Sequence, residues 1–337
     1  MVSTVRSNGL VAALCVTLFS GTVHAATEWQ VSLWGQRRAF TEHVEKLAEL
    51  IAEKTNGEFT LNLSYGGLAK NTENLDGIDA GDFEMAQICA GYHPEKNPTL
   101  TVLELPFLGV GNLSQEVKVS MALYQHPAVV RDMKRWNAMI LMPSPLPQYN
   151  IIGVGQAPES LDDFAGFKVR ATGGIGNALA MLGAVPDSMP ATEVRQAIES
   201  GSIQGASFAP HAHMAFGTVE SADWWTTNLN PGTVNCPVVV NIDALRRLSA
   251  DHLRALASSV PGALAYYIAF YGQDTLDEWG PTLDARGIER VTFTPEALAR
   301  LRARVAEPTA EAWMRQMADQ GLPGRELYDL VMATLNE

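Results

Sequence analysis

Residues 162–210 read DDFAGFKVRATGGIGNALAMLGAVPDSMPATEVRQAIESGSIQGASFAP. The pattern is strand, Gly-Gly turn, helix, loop, helix, strand. Arg170 closes the first of these strands, two residues before Thr172-Gly173-Gly174. A cation there points off the carboxyl edge of a sheet, where open α/β folds bind ligands. Its planar, permanently charged fork suits a carboxylate. An isolated arginine is ordinarily a surface ion pair, here with Asp162 or Asp163. The glycines after it favour the other reading, because they let a backbone approach a ligand beside the guanidinium.

Outward from this stretch, strands and helices alternate, which predicts parallel sheet with helices on both faces. Residues 29–33 and 59–63 read as strands around a helix in which Phe40, Val44, Leu47, Ala48 and Ile51 recur at helical spacing. Ser114 is positioned to cap a helix running through Gln125, and Thr192 to cap the one ending before Gly201. The PSPLPQ segment at 143–148 breaks the pattern and predicts a first crossing between domains. Residues 238–240 read as a strand returning to the first domain. A helical region starts at Ser249 and reaches about Ala285, with an interruption expected at Pro261. Thr294-Pro295-Glu296 is a cap followed by an N1 proline.

The first 25 residues read as a secretory leader. Arg6 is their only charge, residues 10–19 form an apolar core, and Val23-His24-Ala25 precedes the expected cut near Ala25. The run is too short for a comfortable membrane span. Without Arg6, 23 basic side chains face 37 acidic ones, a formal charge of about −14. That acidity argues against nucleic acid as a partner and makes a local cation necessary for any anion site. The roughly 312 residues left suit two domains. Cys89 and Cys236 remain; spacing cannot show that they meet, and the expectation is two small apolar side chains rather than a bridge.

Taken together, Asp163, Gly166, the Phe167-Lys168-Val169-Arg170 strand, Glu193-Val194, Gly201-Ser202-Ile203-Gln204-Gly205, Leu105-Pro106-Phe107-Leu108 and Gly66-Gly67-Leu68 closely resemble the solute-binding proteins of TRAP transporters, in order and in spacing. Gln204 stands where that family carries an aspartate. The resemblance implies an α/β, two-lobed periplasmic binding protein fold with a long interdomain helix and hinge strands. Residues 26–147 plus 236–275 would form lobe I, and residues 148–235 plus 276–337 lobe II. It implies a monomeric periplasmic receptor that captures a small organic acid by hinge closure. The receptor would then dock on a large and a small membrane permease subunit driven by an ion gradient.

Carried over position by position, the resemblance makes Arg170 the partner of the substrate carboxylate. Trp34, Cys89, Ala90, Thr172, Phe208, Gln148, Asn150 and Asn235 fall around the implied cleft. Many members carry a second arginine about 20 residues earlier; Gln148-Tyr149-Asn150 offers no cation there. A second carboxylate would lack its partner, at a desolvation cost. With Ala90 and Phe208 at family-polar positions, this favours an apolar or aromatic monocarboxylate over a dicarboxylate. Trp34, Tyr92, Phe208 and Trp224 are candidates for an aromatic cage around a quaternary ammonium, ranked below that reading.

No Gly-x-Ser-x-Gly elbow, P-loop or His-Glu-x-x-His occurs. His211 and His213 lack the spacing of one helix face and a third ligand, and the Gly173-Gly174-x-Gly176 turn lacks dinucleotide spacing. The expectation is therefore a binding protein without metal, cofactor or catalysis. A periplasmic sensor for a receptor kinase and, further off, a periplasmic enzyme on the same scaffold are the alternatives.

Overall fold

The computed structural model describes Met1 and residues 26–337. The leader assigned to the first 25 residues lies almost wholly outside the described residues. Strand β1 (Thr27–Leu33) leads through helix α1 (Glu42–Lys54) to β2 (Phe59–Tyr65), α2 (Asn74–Ala80) and β3 (Met85–Gln87). Helices α3 (Leu113–Tyr124) and α4 (Pro127–Lys134) precede β4 (Ala138–Met142). The chain then crosses to β5 (Asn150–Gly153), β6 (Lys168–Arg170), α5 (Gly173–Ala180), β7 (Val185–Asp187), α6 (Val194–Glu199), β8 (Gly205–Phe208), α7 (Pro210–Ala215) and β9 (Trp224–Thr226). It returns through β10 (Val238–Asn241), α8 (Ile242–Arg247) and α9 (Ala250–Phe270). α10 (Asp277–Arg286), β11 (Glu289–Val291), α11 (Pro295–Asp319) and α12 (Gly324–Asn336) complete it.

Among the described residues the strands make two sheets, β2-β1-β3-β10-β4 and β11-β9-β5-β8-β6-β7. β10 is antiparallel to both β3 and β4, as a strand that enters from the other lobe must be to lie beside them. On α1, Val44, Leu47 and Ile51 are fully buried in one cluster with Leu256, Val260 and Leu264 of α9. Each such side chain contributes about 1.5–3 kcal/mol. That contact explains why α9 runs straight through Pro261. The local cost of an interior proline, about 3 kcal/mol, is smaller than the summed burial on either side of it. The helical path widens ten residues later, where Tyr271–Leu276 form a π-helical segment between α9 and α10. α9 packs on lobe I and α10 on lobe II, where Trp279 and Leu283 cluster with Ile152 and Val219.

Three local expectations change. Asn112, not Ser114, caps α3, its side chain accepting from Gln115 N, because the helix begins at Leu113. Thr192 lies inside a 3-10 turn and makes no cap. The C-terminal segment does not stay with lobe II: β11 joins the second sheet, but Ala310, Trp313 and Met317 of α11 and Leu327 and Val331 of α12 bury themselves in the lobe I core. The first half of α11 does stay with lobe II, where Leu301 and Val305 cluster with Phe164 and Phe293, so α11 spans both lobes.

Candidate ligand-binding site

The two sheets face one another across a small cavity of about 30 Å³, reached by the carboxyl ends of β1, β3, β6 and β8. Trp34, Phe40 and Tyr92 line it from lobe I; Arg170, Thr172, Phe208 and Phe216 line it from lobe II. The lobes are in contact. The Arg170 Nη2 donates to the Tyr92 hydroxyl at 3.3 Å across the cleft, and Phe107 N donates to Pro231 O.

Arg170 is 2 % exposed. Its Nε donates to Met189 O at 3.1 Å, and its guanidinium lies 4.6 Å from the Phe208 ring centroid. No carboxylate among the described residues forms a salt bridge with it, so the surface pair with Asp162 or Asp163 does not occur; Asp163 instead closes a capping box with Ser160. The fork is thus held by Met189, Tyr92 and Phe208, with no carboxylate bonded to it.

Several groups around the cavity were not placed by sequence. Glu104, at the end of the 3-10 stretch Pro98–Glu104, lines it from lobe I. Its Oε1 accepts from Gly91 N and Asn235 N, both at 3.0 Å. Burial pushes its carboxyl up to about 7, against the pull of those two N–H groups and of Arg170. The residue directly precedes Leu105-Pro106-Phe107, which was the available signal. Arg38 is a second buried cation. Its Nη1 donates to Trp34 O and Gln36 O, and its guanidinium sits 4.2 Å from the Trp34 ring and 5.4 Å from Phe216. Desolvation lowers it to about 10. It lies behind the aromatic wall, not on it. His211 lines the cavity with Nδ1 2.7 Å from the Tyr271 hydroxyl; burial holds it neutral, well below its ordinary range. The π-helical turn is what brings that hydroxyl inward, as such turns often do at functional sites.

Of the residues expected from sequence, Arg170, Trp34, Cys89, Thr172 and Phe208 line the cavity. Four do not. Ala90 points into the lobe I core. Gln148 donates to Val110 O and faces an outer groove. The Asn150 side chain is consumed within lobe II, donating to Asn230 Oδ1 and accepting from Thr226 Oγ1 and Leu229 N. Asn235 bonds Tyr124 and Leu100 O instead, and only its backbone N–H serves the site, by holding Glu104. Cys89 and Cys236 are not separate apolar side chains: they form a disulfide on the cavity wall. Antiparallel pairing of the β3 extension with the segment before β10 sets them opposite each other, through Ile88 N to Pro237 O and Ala90 N to Asn235 O. Of the four cage candidates, Trp224 is core, packed on Phe164 and Phe167. His213 bonds Thr218 Oγ1, and no cluster of three metal-ligating side chains occurs among the described residues.

The model of bacterial extracellular solute-binding proteins, family 7 (DctP), matches residues 31–316. Among curated proteins the chain is similar to a monocarboxylate 2-oxoacid-binding periplasmic protein of Nostoc sp. (strain PCC 7120), at 26% identity over 62% of this chain and 58% of that protein. It is also similar to a solute-binding protein of Sulfitobacter sp. (strain NAS-14.1), at 27% identity over 58% of this chain and 60% of that one. The chain thus spans about three fifths of the length of these curated relatives. In fold it resembles DctP7 of Bordetella pertussis, an extracytoplasmic solute receptor binding pyroglutamic acid, with TM-score 0.79, 20% identity, and 91% and 99% of the two chains covered. It also resembles a marine metagenome TRAP solute-binding protein specific for aromatic acid ligands, solved with 3-hydroxybenzoate, with TM-score 0.82, 21% identity, and 93% and 99% covered.

Proposed function

The chain belongs to family 7 of the bacterial extracellular solute-binding proteins, the DctP family of TRAP receptors, and on that footing we propose that it captures a small organic monocarboxylate by closing its two lobes around it. The observation that carries this is Arg170: a buried guanidinium without a carboxylate partner, braced by Met189 O and Tyr92, on the wall of the cavity between the lobes. In water that charge would be solvated; here a ligand carboxylate supplies the missing partner. Trp34, Phe40, Phe208 and Phe216 surround the remaining volume, which suits an apolar or aromatic body. The binder for 2-oxo monocarboxylates and the aromatic-acid receptor among the similar proteins support the same class.

The loaded, closed protein would present both lobes to a large and a small membrane permease subunit, in the periplasm, after removal of the leader. Ligand drives closure by its higher affinity for the closed form. A thermal-shift screen of carboxylates followed by calorimetry tests the reading, since a ligand of the native state raises its melting temperature. Mandelate- and hydroxybenzoate-like acids are expected to outrank succinate and malate. Tight succinate binding with no response to the aromatic acids would sink the monocarboxylate assignment. Betaine binding alone would move it to the aromatic cage.

A further inference from the structure

We propose that Glu104 is a specificity-determining residue of this cavity and that it selects acids carrying a hydrogen-bond donor, a hydroxyl or an N–H, close to the carboxylate. The inference rests on the carboxylate being held by Arg170.

The carboxyl group is pinned. Two backbone donors, from Gly91 and Asn235, converge on Oε1, so the group cannot rotate without breaking both bonds. Its Oε2 is buried and has no hydrogen-bond partner among the described residues. Room is kept for that oxygen by two glycines, one from each lobe. A Cβ at Gly91 would fall 2.7 Å from Oε2, and one at Gly173 only 2.4 Å from it. The same two segments carry the carboxylate site, since Tyr92 braces Arg170 and Arg170 lies three residues before Gly173. A ligand on Arg170 therefore sets the substituent next to its carboxylate against an acceptor that the protein leaves empty.

Charge balance points the same way. The groups whose charge is felt between Glu104 and the elements packed on it are Arg170 on β6, Tyr124 on α3 and Tyr149 before β5; Glu116 on α3 acts on the same two tyrosines. Burial pushes Tyr124, Tyr149 and Glu116 toward their neutral forms. The buried fixed charges around the chamber are then Arg38, Arg170 and Glu104. An ionised Glu104 offsets one guanidinium, and a monoanionic ligand offsets the other. With Glu104 ionised, Oε2 accepts from a hydroxyl or N–H, whereas a 2-oxo acid would turn a carbonyl lone pair toward it. A site built around one polar pairing discriminates strongly against the analogue that cannot make it.

Calorimetry with two matched pairs tests this at pH 8: mandelate against phenylglyoxylate, and lactate against pyruvate. The hydroxy acid of each pair should bind about tenfold tighter or more. In Glu104→Gln the amide oxygen can keep both backbone N–H groups and place its NH2 where Oε2 stood, so the preference should fall by about tenfold or reverse toward the oxo acid. Equal affinities within both pairs, or an unchanged ratio in Glu104→Gln, would overturn the role of Glu104 and leave the carboxylate reading standing. Failure of all four acids to bind would overturn that reading and this one together. If Glu104→Gln does not fold by circular dichroism, the wild-type ratio decides. A hydroxy-over-oxo preference that shrinks as pH falls through about 7 supports the proposal, and a ratio independent of pH overturns it.

Discussion

At the scale of single residues, the site is built from charges that lack partners inside the protein. Arg170 is the clearest case, and its position at the end of β6 was legible because a strand, a cation and a glycine turn follow one another in sequence. Arg170→Ala should leave the fold intact and weaken acid binding by on the order of 2–5 kcal/mol. Arg170→Lys should recover part of that loss, since an ammonium cannot reproduce the planar fork. Calorimetry on both variants checks it, and unchanged affinity in Arg170→Ala would refute the assignment. Asn150 and Asn235 show where residue-level reading stops. An asparagine beside a cleft has as many backbone suitors as ligand ones, and here Leu229 N, Asn230 and Leu100 O claim them.

At the scale of elements, the lobes meet where α5 begins. A Cβ on Gly174 would lie 1.9 Å from the backbone oxygen of Glu104 and 2.9 Å from Pro106. Neither atom is the free end of a flexible side chain, so Gly174→Ala should hold the lobes apart while each keeps its own core. Small-angle scattering with a bound acid should show a larger radius of gyration than wild type, and affinity should drop; an identical closed profile would rule the contact out as a stop. The Cys89–Cys236 bridge ties the end of β3 to the segment that returns from lobe II, across 147 residues of chain. Its removal by a double Cys→Ser exchange should cost about 2–5 kcal/mol, measured as the difference between variant and wild type in urea unfolding. Sequence could not announce this pair, since the bridge follows from antiparallel register between segments that are distant in the chain.

At the scale of the whole molecule, buried titratable groups set how stability responds to pH. His43 and His213 are held down to about 3, and His211 well below its ordinary 6.5, all chiefly by burial. Glu104 is held up to about 7 and Glu116 well above its ordinary 4.5 for the same reason. The histidines bind fewer protons folded than unfolded, so their contribution is lost as pH falls from 6.5 toward 3. The carboxyls bind more, so theirs is present below 4.5 and lost as pH rises through about 7. Between 6.5 and 4.5 these three histidines, joined by His93, which burial also lowers, oppose the two carboxyls, and stability should fall on acidification. Below 4.5 the carboxyls no longer oppose the histidines and the fall should steepen. Urea midpoints from pH 7 to 4 check the slope, and His43→Gln should flatten it. A flat profile would mean that these rings are solvated in the folded protein.

What the sequence determined by itself was whatever is written locally. The period of apolar residues gave α1 and β1, the Thr294-Pro295 cap began α11, and the strand-turn-helix around Arg170 gave the family and the proposed carboxylate site. Tertiary structure decided what depends on which surfaces meet. Packing against α1 carried α9 through Pro261, where the local signal predicted a break. The lobe I core drew the second half of α11 and all of α12 away from the lobe that β11 belongs to. Closure of the cleft gathered Glu104, Arg38 and His211 around Arg170 from four separated stretches of chain. Arg38 and His211 carry no local mark of this role, and Glu104 only its place before Leu105-Pro106-Phe107, because the desolvation and loss of partners that make them matter exist only once both lobes have excluded water from the space between them.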